Sequence, residues 1–295
     1  MLPKGNTLKD LFDYADIKWH ALADGSEKPA MKDILAEDLF GIQAAQRRQP
    51  ETVRLTESQI LVWMRAVKRI AAQEPLQYVT GLAAFYGLLF DVNPSVLIPR
   101  PETEEMVDLI LRRFAPETSL HVIDFCTGSG CIPVTLKKQR PGWQVQATDI
   151  SAAALDTARI NAVKHGAPVD FFMGDLLTGS GVPEGRWDLL VSNPPYVAQS
   201  EEKDMAPHVL NHEPHLALFV PDRDAVMFYR RLAAIAAERL NPGGSVWTEL
   251  NPLHADESAA LFRDKGFAVR LHRDLSGKDR FLEARHTDTH SNELH

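Results

Sequence analysis

From Leu120 onward, short apolar runs alternate with stretches of helical periodicity, and that order admits few architectures. The runs at 120–125, 144–148, 169–173, 187–192, 244–250, 267–271 and 280–283 read as strands. Helical spacing fills most of the intervals, at about 129–139, 151–166, 224–240 and about 254–265. Gly166 suits the position just past a helix end, and Asn241-Pro242-Gly243-Gly244 breaks the third helix. Strand and helix in alternation build a parallel, doubly wound α/β sheet. No helix separates the last two runs, so the seventh strand is expected to enter antiparallel, as one arm of a hairpin.

The fourth run, Trp187-Asp188-Leu189-Leu190-Val191, suits a strand buried on both faces. It stops at Asn193-Pro194-Pro195-Tyr196, because two prolines can neither donate to a ladder nor extend a central strand. The Asn193 side-chain oxygen and the Pro194 carbonyl are then two acceptors in a stiff frame. Together they suit both hydrogens of one planar NH2 group, and Tyr196 offers a flat wall for a planar substrate. An amide nitrogen is a poor nucleophile, so alignment must supply much of the rate, of order 7–11 kcal/mol. Taken alone, Asn-Pro also starts ordinary turns.

Before this region the chain reads differently. Leu8, Leu11, Phe12, Ala15 and Trp19 share a helical face, as do Met31, Ile34, Leu35, Asp38 and Leu39, with the charged Asp38 at the edge of the stripe. Thr56 and Gln59 form a capping box for a third helix carrying Ile60, Trp63, Met64 and Val67, with Pro75 ending it. Residues 1–75 are expected to form a small helical bundle that docks a partner or covers the larger domain. Residues 76–95, rich in aromatic and β-branched side chains and punctuated by Gly81 and Gly87, are expected to be a β-hairpin linker. Residues 96–286 form the main domain, and 287–295 a polar, frayed tail. In Pro99-Arg100-Pro101-Glu102-Thr103-Glu104, the prolines hold Arg100 extended and Thr103 is placed to cap a helix. Arg100 and Glu102 suit an ordinary surface ion pair or a role at the site.

Composition limits the partners. The 295 residues carry a formal charge of −8, which argues against a protein that lives on nucleic-acid phosphates. No run approaches the roughly 18 apolar residues of a membrane span, and no signal-peptide pattern opens the chain, so a cytoplasmic location is expected. Cys126 and Cys131 fit neither a zinc nor a disulfide framework; both read as small buried residues, and no metal is expected.

The segment Asp124-Phe125-Cys126-Thr127-Gly128-Ser129-Gly130 is strand, glycine turn and helix start, where backbone can approach a ligand closely. About twenty residues on, Asp149 ends the second strand, where a carboxylate can grip two ribose hydroxyls. Asp175, before Leu176, ends the third strand and can accept from an adenine amine. Pro133 replaces the third glycine of a dinucleotide fingerprint, so a pyrophosphate is disfavoured. An adenosyl ligand with a cationic centre fits better, with Asp124 favouring its ammonium or sulfonium end.

These motifs resemble the S-adenosylmethionine-dependent N-methyltransferases. Glu74-Pro75-Leu76-Gln77-Tyr78, the Pro-Arg-Pro-Glu-Thr-Glu run and Phe228-Tyr229-Arg230-Arg231-Leu232 narrow the likeness to the PrmC/HemK family, over about 55–285. The resemblance implies a Rossmann-like methyltransferase sheet. It implies methylation of the glutamine amide in the Gly-Gly-Gln motif of class I peptide chain release factors, yielding S-adenosylhomocysteine. By the same likeness Cys126, Thr127, Gly128, Ser129 and Gly130 form the cofactor loop, with Asp124 beside it. Asp149 holds the ribose and Asp175-Leu176 borders the adenine. Asn193, Pro194, Pro195 and Tyr196 hold the amide, and Arg100 and Glu102 flank it. Phe125-Cys126 stands where Leu-Gly is more usual, and Glu249-Leu250-Asn251 where many members have Glu-His-Gly. No role is assigned to the latter segment.

The expected chemistry is direct in-line displacement by the amide nitrogen, with no strong base required first. By the same resemblance the protein partner is expected to be a class I release factor, without direct nucleic-acid binding, and the enzyme is expected to be a monomer. A DNA or RNA base amino-methyltransferase would use the same corner on a flipped base. An idle adenosyl-sensing module would need only the glycine turn.

Overall fold

The computed structural model describes residues 2–20 and 26–286; the tail expected at 287–295 lies outside the described residues. Two compact units emerge. The first runs to Leu82 and includes Ala206–His212; the second takes Ala83–Met205 and the chain from Glu213. The division after Leu82 falls inside the segment 76–95 expected as a linker.

In the first unit, α1 (Leu8–Lys18), α2 (Lys28–Phe40), α3 (Ala44–Arg47), α4 (Glu57–Ala71) and α5 (Leu76–Thr80) enclose a core of Leu8, Leu11, Leu35, Trp63 and Val67. Indole N–H groups are costly to bury unpaired, and here Trp19 donates to the Val67 carbonyl and Trp63 to that of Leu11, each at 3.0 Å. The Thr56–Gln59 capping box opens α4. That helix ends at Ala71, not Pro75, and Pro75 instead caps α5. Helix therefore occupies the start of the segment expected as a β-linker. Burial of Tyr78 and Val79 on α5 outweighs their strand preference. The hairpin is confined to β1 (Leu82–Phe85) and β2 (Leu88–Asp91). Tyr86 and Gly87, both at positive φ, turn it as a two-residue hairpin loop requires.

The second unit continues with α6 (Pro101–Arg113), β3 (His121–Phe125), α7 (Cys131–Gln139), β4 (Gln144–Asp149), α8 (Ala152–His165), β5 (Asp170–Met173) and β6 (Trp187–Ser192). After β6 come β7 (Val197–Ala198), then α9 (Pro207–His212) of the first unit, and β8 (Phe219–Val220). The chain then forms α10 (Met227–Arg239), β9 (Leu240–Glu249), α11 (Ala255–Arg263), β10 (Phe267–Arg273) and β11 (Asp279–His286). The seven-stranded sheet runs β10-β11-β9-β6-β3-β4-β5. Strands β9, β6, β3, β4 and β5 are parallel, and β11 lies antiparallel between β9 and β10. This is the expected doubly wound sheet with a final hairpin.

Two boundaries moved for physical reasons. Pro101 sits at the first helical position, where its fixed φ favours a helix start, so Arg100 rather than Thr103 is the N-cap of α6. Strand β9 begins at Leu240 because Asn241-Pro242-Gly243-Gly244 bulges between the Trp187–Leu240 and Leu189–Ser245 pairs. Core side chains fill both faces of the sheet, with Met106, Ile110 and Val134 on one and Leu232, Ala236 and Phe262 on the other. From β3 the chain steps to β4 on one side, and after β5 it returns to β6 on the other side of β3, which opens a crevice beyond the carboxyl ends of these strands.

Candidate active site

A mostly apolar cavity of about 420 Å³ occupies that crevice. Its wall includes Arg100, Cys126, Thr127, Gly128, Ser129, Asp149, Asp175, Leu176, Asn193 and Pro195, so four strand ends far apart in sequence converge on one space. Asp124, Gly130, Pro194, Tyr196 and Glu102 are not on the wall. Ile150, more than half exposed beside Asp149, adds apolar surface that periodicity did not mark.

The loop after β3 brings backbone to the cavity. Gly128 has φ +55°, and a Cβ built there would meet nothing within 4 Å. Gly130, at φ +78°, serves packing: a Cβ would stand 3.0 Å from the Ala158 Cβ on α8. Cys126 takes φ +60°, the left-handed region that favours glycine. The family's more usual glycine at this position is the signal that marks it. The expectation of two buried cysteines holds for Cys131 only; Cys126 is half-buried on the cavity wall. Burial, together with the Asp149 and Asp124 carboxyls, pushes the Cys126 thiol well up.

Asp149 accepts from the Gly128 N–H at 2.8 Å and the Ser151 N–H at 2.9 Å, so one carboxylate ties the glycine loop to the start of α8. Burial raises its carboxyl, against the pull of those two bonds. Asp175 accepts from the Leu177 N–H and the Thr178 hydroxyl, each at 2.8 Å, which closes its own turn. Arg231 on α10 donates to the Leu176 carbonyl at 3.2 Å and steadies that edge. Asp124 lies fully buried beneath the loop, and among the described residues neither carboxyl oxygen has a hydrogen-bond partner. Burial pushes it well above the ordinary carboxylate range. The buried Thr127 and Ser129 hydroxyls likewise have no partner among the described residues.

At the tip of β6, the Asn193 NH2 donates to Thr103 Oγ1 at 3.1 Å, and the Thr103 hydroxyl donates to Glu249 Oε2 at 2.7 Å. The Asn193 oxygen has no partner among the described residues. Tyr196 Oη donates to Glu249 Oε1 at 2.8 Å, and its ring packs on the α10–α11 side of the core instead of flanking the cavity. Asn251 Nδ2 donates to the Tyr196 carbonyl at 3.1 Å. The Glu249-Leu250-Asn251 segment, given no role above, is thus the scaffold of the Asn-Pro-Pro-Tyr corner. Arg100 pairs with Glu213, not Glu102, at 2.6 Å. Glu102 stands half-buried in the first turn of α6. Among the described residues, no group of His, Cys, Asp and Glu could hold a metal ion, and no helix is long and apolar enough to cross a membrane.

The methyltransferase small domain model matches residues 102–218. Over 259 residues the chain is 39% identical to the release factor glutamine methyltransferase of Bacteroides thetaiotaomicron, covering 88% of this chain and 92% of that protein. The chain belongs to the release factor glutamine methyltransferase family. Its likeness to the Streptococcus pneumoniae member is 42% over 217 residues, 73% of this chain and 76% of that one. Among solved structures, a T. thermophilus 16S rRNA N2 G1207 methyltransferase aligns at TM-score 0.52 and 20% identity, over 70% of this chain and 50% of that chain, which speaks for the fold. The cavity thus lies in a methyltransferase crevice, with the Asn193 corner and the glycine loop both on its wall.

Proposed function

We propose that the chain transfers a methyl group from S-adenosylmethionine to the side-chain amide nitrogen of the glutamine in the Gly-Gly-Gln motif of class I release factors. The carrying observation is the Asn193 amide: its NH2 turns to Thr103 and donates one hydrogen there, so its oxygen is left to accept. An acceptor in that place suits a donor nitrogen on the substrate.

The residues present fit the adenosyl group. Gly128 leaves open space where a side chain would stand. Asp149 keeps a second lone pair on each oxygen for ribose hydroxyls, beyond the two backbone bonds it accepts. Ile150 and Leu176 offer apolar faces to a planar base. Asp124 lies off the wall, buried beneath the loop, and is given no direct contact with the ligand. Bound there, S-adenosylmethionine supplies a methyl group activated by a sulfonium centre.

The chain's own part is positioning. Asn193 and the Pro194 carbonyl take the two amide hydrogens, which fixes the nitrogen and points its lone pair at the cavity. As that nitrogen becomes tetrahedral its hydrogens grow more acidic, so both acceptors hold the transition state more tightly than the ground state. The surplus proton passes to water afterwards. We assign the helical first unit to docking the protein substrate, a reading that its exposed Ile34, Leu61 and Val62 support.

The test is mass spectrometry of a release factor after incubation with S-adenosylmethionine. One added methyl on the Gly-Gly-Gln glutamine is expected; label found only on nucleic acid would overturn the reading.

A further inference from the structure

We propose that Thr103 and Glu249 are positioning residues that decide which end of the Asn193 amide faces the substrate. The inference rests on reading the site as an amide N-methyltransferase.

An amide has two ends of similar size, one a donor and one an acceptor. Only the acceptor end suits a substrate NH2. Nothing in Asn193 itself chooses between them, so the choice must come from its neighbours. Thr103 has one hydroxyl hydrogen. Glu249, 1% exposed at the end of β9, claims that hydrogen at 2.7 Å. An ionised carboxylate only accepts, so the direction of this bond is set. The Thr103 oxygen has only lone pairs left, and the group 3.1 Å away on Asn193 must donate. The Asn193 oxygen therefore faces the substrate. Tyr196 donates to the other Glu249 oxygen at 2.8 Å, which holds the carboxylate in place.

Replacing Glu249 by glutamine keeps the shape and removes that direction. A glutamine NH2 can donate to Thr103, which frees the Thr103 hydrogen for the Asn193 oxygen. The Asn193 amide then turns over and presents NH2 to a substrate NH2, donor against donor. Protonation of Glu249 acts the same way. The charged and titratable groups around Glu249 are Tyr196 after β6, Tyr229 on α10, Arg280 on β11, Glu102 on α6 and Cys131 on α7. Burial raises the Glu249 carboxyl, opposed by the two hydroxyl bonds and by Arg280.

The test uses the full chain, S-adenosylmethionine with a labelled methyl group, and an intact release factor. Glu249→Gln and Thr103→Val should each lower kcat by about 100-fold, the cost of a misplaced reacting group. Cofactor affinity by calorimetry should stay within about threefold, since neither change removes uniform binding. Thr103→Ser, which keeps the hydroxyl, should recover most of the rate. The double variant should be no slower than either single one, because both cut the same chain. The acid limb of the wild-type kcat profile should vanish in Glu249→Gln. Near-normal kcat in Glu249→Gln, multiplied losses in the double variant, or equal damage from Thr103→Ser and Thr103→Val would overturn the relay. If Glu249→Gln does not fold, the Ser and Val pair at Thr103 still decides.

A substrate-free readout separates this inference from the functional one. In nitrogen-edited spectra, one Asn193 side-chain hydrogen should be protected from solvent exchange, and Thr103→Val should abolish the protection. A wild-type enzyme that labels no release factor yet shows this protection overturns the substrate assignment and supports the relay. Absent protection in the wild type overturns the relay.

Discussion

The Arg100 guanidinium reaches the Glu213 carboxylate at 2.6 Å and so fastens two segments 113 residues apart. The Glu213 side chain is 1% exposed, and its second oxygen accepts the Ile98 N–H at 3.2 Å. Pro214, Leu216 and Ala217 follow directly and line the cavity. Arg100→Ala leaves a buried carboxylate with one partner. The expected loss is about 2 kcal/mol in denaturant unfolding, below the usual cost of breaking a buried pair because Arg100 is partly exposed. Calorimetric titration should show weaker cofactor binding as the wall loosens. Unchanged affinity would detach this pair from the site.

Cys126 occupies a backbone region that costs a non-glycine residue about 1–2 kcal/mol. Cys126→Gly is expected to stabilise the protein by about 1 kcal/mol, since part of that relief is lost to glycine's unfolded-state entropy. Cys126→Val should destabilise it, because a β-branched residue tolerates positive φ worst. Thermal melts of the two variants on either side of the wild type would bear this out.

Asp124 gives stability a pH dependence with a definite sign. Burial raises its folded-state pKa, so the native chain holds this proton to higher pH than the unfolded chain does. Its contribution is full below the ordinary carboxylate value of about 3.9 and is lost as pH rises through the raised value. Asp124→Asn removes that slope. The variant should gain on the wild type as pH rises above about 4 in urea unfolding. A constant offset across that range would show that Asp124 does not titrate differently in the two states.

Two glycines in one loop should fail in different ways. Gly128→Ala places a methyl in open space on the cavity wall, so cofactor affinity should fall more than stability. Gly130→Ala meets α8 at 3.0 Å in an equally unfavourable backbone region, so stability should fall by about 1–3 kcal/mol. Melting curves and calorimetry on both variants give the comparison, and matched losses in both quantities would remove the distinction.

Much of the architecture was legible because local chemistry decided it. Apolar runs buried on both faces announced the parallel strands, Gly166 closed its helix as expected in the left-handed region, and two prolines stopped β6. The ends of the strands placed Asp149 and Asn193 on one cavity. What could not be read were partnerships made only by folding. Thr103 meets Glu249 across 146 residues and Asn193 across 90, and no periodicity encodes either. Thr103 looked like a helix cap until Pro101 took the helix start two residues earlier. Tyr78 and Val79 looked like strand residues, yet tertiary burial holds them in α5.

The placing of β11 bears on how the enzyme is born. Phe281 of this final strand pairs with Glu249, and β11 separates β9 from β10. A chain emerging from the ribosome therefore carries every cavity-lining residue before it carries the strand that seals the flank of Glu249. Catalytic competence should arrive in one late step, when that strand threads between two neighbours already made, rather than growing by degrees as synthesis proceeds.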